Sequence, residues 1–292
     1  MEALCSVTGP RGIIRIGDHQ PLVIIAGPCV LEHPTITLQI AREMRDRCAA
    51  AGLPYIFKAS FDKANRTSAA SARGPGIQHG LDALAAVREE LGVPITTDLH
   101  EPAQAEHVAR VVDLLQIPAF LCRQTDLLTA AGEAASAHNR AVNVKKGQFL
   151  APDEMAGPVG KLRAARCTNI LLTERGTFFG YHRLVNDFIG IGDLLATTWD
   201  DDLRLPVCFD CTHSAQLPGL GATSGGRRER VPLLARAAAA AGVHAIFLEC
   251  HPTPERASSD ASTMLALDDA LKLVPLLKDI SGLVRPARSD RI

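Results

Sequence analysis

The chain has 292 residues, 47% of them hydrophobic and 22% charged, enough to bury a substantial core in one large domain or two small ones. A net charge of −1 excludes any global attraction to nucleic acid or to an anionic membrane, so a basic site has to be local. The opening residues M-E-A-L-C-S-V-T-G-P-R-G carry no apolar signal segment and no run is long enough for a membrane span, so the eight cysteines read as reduced thiols in a cytoplasmic setting.

In chain order, Gly12–Gly17 is expected to pair with the start of the first barrel strand as a hairpin across the barrel floor. Eight short apolar runs then read as strands: Leu22–Ala26, Tyr55–Phe57, Pro94–Thr97, Leu114–Ile117, Ala141–Val144, Ile170–Thr173, Val207–Phe209 and Ala245–Leu248. Helical patterns lie between them at Thr35–Ala51, Gly80–Leu91, Ala103–Val112, Asp126–His138, Asp153–Ala165 and Val231–Ala241. The runs lack apolar–polar alternation, as expected of strands buried on both faces of a parallel sheet. Eight βα units in this length suit an α/β fold of one closed (β/α)₈ TIM barrel, with residues 1–292 forming a single catalytic domain. The last residues, Arg285–Ile292, read as frayed.

Each strand ends in chemistry: Gly27-Pro28-Cys29, Lys58, Asp98 with His100, Gln116 and Arg123, Lys145-Lys146, Glu174-Arg175, Asp210 with His213, and Glu249 with His251. In a barrel those ends converge on one face, where barrel enzymes place their sites. The densest stretch is F-K-A-S-F-D-K-A-N-R-T-S, residues 57–68. Lys58, Lys63 and Arg66 stand there with Ser60, Asn65, Thr67 and Ser68, opposed by one acid, Asp62. Donors so arranged suit phosphate: Arg grips two oxygens, Lys adds point charge, and hydroxyls fill the remaining lone pairs. A solvated charged loop is the plainer alternative, but it would normally mix both signs. With Arg123, Lys145 and Arg175 the cations exceed the need of one phosphate, pointing to two phosphorylated substrates or one bisphosphate.

A second constellation joins Cys29, His213, Glu249 and Asp260. One thiolate, one imidazole and two carboxylates suit a borderline divalent ion such as Zn²⁺, Fe²⁺, Mn²⁺ or Co²⁺. Spacing alone supports this weakly, and Cys29 by itself reads as a small buried packing residue. Cys211 and Cys250, next to inward-pointing Asp210 and Glu249, should face the helices. The glycine-rich Gln216–Arg230 is too long for an ordinary βα loop and reads as a mobile lid.

These segments together resemble the 3-deoxy-D-manno-octulosonate 8-phosphate (KDO 8-phosphate) synthase family. The resemblance rests on I-A-G-P-C, K-A-N-R-T-S, R-G-P-G, T-D-L-H-E-P, Q-I-P-A-F-L-C-R-Q-T-D-L, V-N-V-K-K-G-Q-F, F-D-x-T-H-S-x-Q-L-P-G and H-P-x-P-E-x-A-x-S-D-A-S, in order from about residue 22 to 263. It implies a usually tetrameric barrel that condenses phosphoenolpyruvate with D-arabinose 5-phosphate and water for lipopolysaccharide biosynthesis, releasing phosphate. It also implies a metal-dependent branch, because Cys29 stands where metal-independent members carry Asn; the ligands would be Cys29, His213, Glu249 and Asp260. By the same matching, Lys58, Lys63, Lys145, His213 and Asp260 take catalytic roles. Ser60 and Arg175 join the lysines around phosphoenolpyruvate. Asn65, Arg66, Thr67 and Ser68 fall on the arabinose phosphate site, with Arg123 reaching across from a neighbouring subunit. Asp98, Gln116, Ala119, Phe120 and Gln148 fall on further substrate contacts. Rival readings are a DAHP synthase taking erythrose 4-phosphate, a Schiff-base aldolase using Lys58 or Lys145, and a non-enzymatic phosphosugar-binding barrel.

Overall fold

The computed structural model describes residues 2–64, 73–199, 202–218 and 225–285. The chain opens with an antiparallel hairpin, β1 (Leu4–Gly9) and β2 (Gly12–Gly17), turning at Pro10-Arg11. Six parallel strands follow: β3 (Val23–Gly27), β4 (Tyr55–Lys58), β5 (Ile95–Asp98), β6 (Leu114–Ile117), β7 (Ala141–Lys145) and β8 (Ile170–Glu174). A short pair, β9 (Thr198–Trp199) with β10 (Leu203–Arg204), precedes β11 (Val207–Asp210). A second pair, β12 (Gln216–Leu217) with β13 (Gly225–Gly226), precedes β14 (Ala245–His251), whose end is flanked by β15 (Leu265–Ala266). Pairing runs from β3 through β8 to β11, then β14, which returns to β3, so the eight-stranded parallel barrel is closed and leaves no sheet edge.

Among the described residues eight helices surround it: α1 (Pro34–Ala51), α2 (Ile77–Leu91), α3 (Ala105–Val111), α4 (Thr125–Ala137), α5 (Ala156–Ala164), α6 (Phe188–Ala196), α7 (Val231–Ala240) and α8 (Leu267–Val284). Strand alternation divides the core. Ile24, Phe57, Val144 and Leu248 face the helices, while Ile25, Ile56, Ala141 and Phe247 fill the barrel. Cys211 and Cys250 fall in the helix-facing layer, as the alternation requires. All eight cysteines are unpaired and buried. Among the described residues no helix is long and apolar enough to cross a membrane.

Gly12–Gly17 does form a hairpin, but its partner is Leu4–Gly9, not the first barrel strand. Both edges of that strand are already taken, by Tyr55–Phe57 and by Ala245–Glu249. The hairpin presents Cys5, Val7 and Ile16 to the inner barrel layer and so plugs the end where the strands begin. Asp18 pins it there, accepting from the Ala3 amide and Arg204 (3.0 Å each) and facing His244 Nε2 at 3.0 Å. Arg285, placed in a frayed tail on sequence grounds, is fixed instead: its guanidinium donates to the carbonyls of Val243, Gly17 and Gln20. Residues 286–292 of that tail lie outside the described residues.

Candidate active site

At the opposite end the strand termini carry the polar residues. The first two loops continue the parallel pairing past their strands. A bridge joins Val30 to Ser60, the Ser60 amide donates to Cys29 O at 3.3 Å, and the Leu31 amide donates to Ser60 O at 2.9 Å. Gly27 permits this approach, since a Cβ there would stand 1.9 Å from Lys58 O. Cys29 is thereby set beside the chain that carries Lys58, Ser60 and Lys63.

Four segments deliver the candidate metal ligands. Sγ of Cys29 and one carboxylate oxygen each of Glu249 and Asp260 lie within 4.8 Å of one another. The Cys29 thiol donates to Asp260 Oδ2 at 2.9 Å. His213 stands just outside that group, its Nε2 3.8 Å from both Glu249 Oε1 and Asp260 Oδ2. Asp210 orients the ring: its Oδ2 lies 2.8 Å from Nδ1, and its Oδ1 accepts the His213 amide at 2.9 Å. This leaves Nε2 as the face offered to the carboxylates, the arrangement typical of a metal-binding histidine backed by a second carboxylate. Thr212 ties the two strand ends together by accepting the Glu249 amide at 2.8 Å. Asp260 reaches the group from a backbone φ of +48°, uncommon for a residue with a side chain. Glu249 Oε2 is buried without a hydrogen-bond partner among the described residues. A soft thiol, an imidazole, two carboxylates and an unsatisfied buried oxygen fit a divalent metal ion.

The electrostatics agree. Burial first, then Asp260 and Glu249, push the Cys29 thiol well above its ordinary value. Burial opposes ionisation of Asp260, but His213, Lys63, the Cys29 hydrogen bond and Lys58 outweigh it and hold the carboxyl low. Glu249 is likewise held low against burial by Lys58, His213 and Lys63. Two adjacent carboxylates therefore stay charged beside a thiol that a metal would have to deprotonate.

The cations separate into two kinds. Lys58 Nζ donates to Glu249 Oε1 at 2.6 Å and to Cys29 O at 2.9 Å, with both charged side chains essentially inaccessible. Lys145 Nζ donates to Asp210 Oδ2 at 2.6 Å and lies 3.8 Å over the Phe247 ring. Lys63 and Arg175 instead meet neutral acceptors. Lys63 donates to Ser60 Oγ at 2.9 Å; Arg175 Nη2 donates to His213 O at 3.1 Å and to Gln216 Oε1 at 2.7 Å. Arg175 is buried and Lys63 half-buried, and burial draws down the proton affinity of Arg175 despite Asp210 and Asp260 nearby. Counting cations in the sequence thus overstates the capacity for anions, because a buried lysine needs a counter-charge of its own.

Asp98 belongs to the same mouth. It accepts a short hydrogen bond from Ser60 Oγ and lies 2.9 Å from His100 Nε2. Gln116 is reached by Asn143 Nδ2 at 3.5 Å, one step inside the barrel. Gln148, after β7, is buried with its Oε1 unpartnered among the described residues, and Ala119, after β6, is buried as well. Phe120 is 51% exposed and Arg123 is exposed, so within this chain neither is drawn into the central group. Asn65, Arg66, Thr67 and Ser68 lie outside the described residues. Lys146 proves structural, its ammonium donating to Leu150 O at 2.7 Å and lying 3.3 Å from Glu174. The stretch expected to be a lid, Gln216–Arg230, begins in the β12–β13 ladder and ends on a 3₁₀ turn, Arg228–Arg230; residues 219–224 lie outside the described residues. Gln216 and Phe247 were not singled out as site residues from sequence; only the T-H-S-x-Q string, which places Gln216 three residues after His213, could have marked the former.

A closed parallel barrel whose strand ends gather buried cations, a candidate metal group and an oriented histidine is a (β/α)₈-barrel enzyme. The chain belongs to the DAHP synthetase I family, whose model matches residues 6–285. Its relatives include a protein of Citrifermentans bemidjiense, 50% identical over 274 residues that cover 94% of this chain and 97% of that one. One from Nitratidesulfovibrio vulgaris is 54% identical over 261 residues, 89% of this chain and 91% of that protein. A third, from Granulibacter bethesdensis, is 48% identical over 273 residues, 93% of each. All three are named 2-dehydro-3-deoxyphosphooctonate aldolase, another name for KDO 8-phosphate synthase.

Proposed function

We propose that this chain is a KDO 8-phosphate synthase, condensing phosphoenolpyruvate with D-arabinose 5-phosphate and water to give 3-deoxy-D-manno-octulosonate 8-phosphate and inorganic phosphate. The names of relatives at about half identity support the reaction. The observation that carries the assignment to this site is the pair of cations, half-buried Lys63 and buried Arg175, held by neutral acceptors beside the Cys29–His213–Glu249–Asp260 group. Neither cation is closed off by a direct ion pair, so each keeps donors for an anion in a site of low dielectric, although carboxylates stand nearby.

Carbon 3 of the enol bonds to the sugar aldehyde, positive charge develops at carbon 2, water adds there, and phosphate departs with its bridging oxygen. Lys63 and Arg175, with Lys58, Ser60 and Lys145 around them, hold the phosphoenolpyruvate. The string Asn65, Arg66, Thr67, Ser68 holds the aldose phosphate, with Arg123 supplied by a neighbouring subunit. Asp98, Gln116, Ala119, Phe120 and Gln148 complete the substrate surface. Holding both reactants in one buried mouth replaces a termolecular encounter by an oriented one. Cys29, His213, Glu249 and Asp260 would hold a divalent ion, Zn²⁺, Fe²⁺, Mn²⁺ or Co²⁺; when bound it supplies Lewis acidity toward the aldehyde or the added water. Asp210 keeps the His213 ring turned so that Nε2 faces the group. Lys58 and Lys145 are each engaged by a carboxylate at 2.6 Å, Glu249 and Asp210, so neither Nζ stands free to attack a carbonyl, which speaks against a Schiff-base route. The reading includes one catalytic domain over residues 1–292, a homotetramer and a cytoplasmic setting.

The test is phosphate release from phosphoenolpyruvate with each aldose phosphate, with and without chelator. Arabinose 5-phosphate should support turnover that chelator removes and divalent ion restores. Equal or faster turnover with erythrose 4-phosphate would reassign the chain to DAHP synthesis, and a borohydride-trapped adduct would reassign it to Schiff-base chemistry.

A further inference from the structure

Gln216 stands between the two halves of the mouth. Its Oε1 accepts from Arg175 Nη2 at 2.7 Å and its Nε2 donates to Asp260 Oδ1 at 3.1 Å. Of all the polar side chains in the site, it alone among the described residues bridges a cation lacking an ion pair and a carboxylate of the candidate metal group. The amide has one acceptor end and one donor end, so the two contacts fix its orientation and satisfy it at both. Its backbone is held as well, because Gln216 pairs with Gly226 in the short β12–β13 ladder.

We propose that Gln216 is a positioning residue that couples the anion seat at Arg175 to divalent-metal binding at Asp260. An anion on Arg175 competes with Gln216 Oε1 for the same nitrogen, Nη2. Any shift of that bond turns the amide and changes its grip on Asp260. The same nitrogen also reaches the backbone carbonyl of His213 at 3.1 Å, a second and weaker link to the metal group that does not pass through Gln216. The inference rests on the metal reading given above and names how the two ligands of that site communicate.

The experiment measures the dissociation constant of Zn²⁺ by chelator competition, with and without saturating phosphoenolpyruvate, and that of phosphoenolpyruvate with and without Zn²⁺. Wild-type protein is compared with Gln216→Met, which keeps length and volume but removes both hydrogen bonds. In the wild type each ligand should change the affinity of the other by the same factor, about fivefold or more, since coupling between binding sites is reciprocal. In Gln216→Met both ligands should still bind, with the factor reduced to about twofold or less, whereas a merely structural loss would weaken both ligands and leave the factor unchanged. An unchanged factor in a folded Gln216→Met protein, or no coupling in the wild type, overturns the proposal. Failure of the wild type to bind Zn²⁺ at all removes the metal reading, and this inference with it.

Discussion

Asp210→Asn tests the wiring of the mouth most directly, because one carboxylate serves two sites. Asp210 Oδ2 receives Lys145 Nζ at 2.6 Å and the His213 ring at 2.8 Å in a fully buried position. The amide keeps the shape but removes the charge that matches Lys145, whose side chain is 7% exposed. Breaking a buried pair by neutralising one partner costs about 3 to 5 kcal/mol. The Phe247 face lies under Lys145 in wild type and variant alike and leaves that difference unchanged. A loss of about 3 to 5 kcal/mol should lower the melting temperature by roughly 6 to 20 °C in a chain of this size. The orienting bond to His213 is weakened in the same variant, so metal affinity should fall about 10- to 100-fold. Thermal unfolding followed by circular dichroism reads the first effect, and chelator competition reads the second. Burial favours the neutral acid, but His213 and Lys145 hold the Asp210 carboxyl below the usual carboxylate range. Its contribution is therefore complete above pH about 4 and declines only in stronger acid. The double variant with Lys145→Met should recover part of the stability by removing the orphaned cation. A melting temperature within about 1 °C of wild type together with unchanged metal affinity would refute the reasoning, since either consequence follows from the loss of one charge.

Cys29→Asn should lose tight metal binding yet keep some chelator-resistant turnover, whereas His213→Ala should recover nothing without metal; full wild-type activity in protein shown to be metal-free by elemental analysis would return Cys29 to a packing role. Lys145→Ala should weaken phosphoenolpyruvate by about 1.5 to 3 kcal/mol and Arg66→Ala should do the same for the aldose phosphate, each sparing the other ligand in equilibrium binding. At the barrel floor, burial lowers the proton affinity of His244, whose Nδ1 accepts the Val207 amide at 2.9 Å, while the His244 hydrogen bond holds Asp18 low against burial. Both folded values lie below the unfolded ones, so stability should fall as pH drops below about 6.5 and again in the carboxylate range. Urea unfolding between pH 8 and 5 checks this, and a wild-type slope shared by His244→Gln would contradict it.

The barrel strands were legible because closure demands continuous apolar runs with polar ends. Ala141–Val144 and Val207–Phe209 were each short by the one residue, Lys145 or Asp210, that carries chemistry. The hairpin partner was not legible. The alternation of Cys5 and Val7 with Ser6 is too short to read as a strand, and only the end of a barrel provides a core for it. Two helices also escaped notice. F-I-G-I-G-D-L-L-A carries two glycines, and the last helix contains Pro275, which reads locally as a breaker. The metal candidates could be found because their residue types are unusual at strand ends. Gln216 was within reach only through the T-H-S-x-Q string, because an amide gains its meaning from the two groups it touches.

The eight buried thiols have a consequence for observing this protein in motion. Burial is the leading cause that raises every one of them above its ordinary value, with Cys48 and Cys208 at about 12. Alkylating reagents attack the thiolate, so in the native state each sulfur is both shielded and chemically silent. The cysteines are spread from the floor (Cys5) through the barrel interior (Cys208) and helix layer (Cys48, Cys250) to the mouth (Cys29). Mass spectrometry of pulse-labelled protein would then resolve the order in which these layers open, with no label introduced by design.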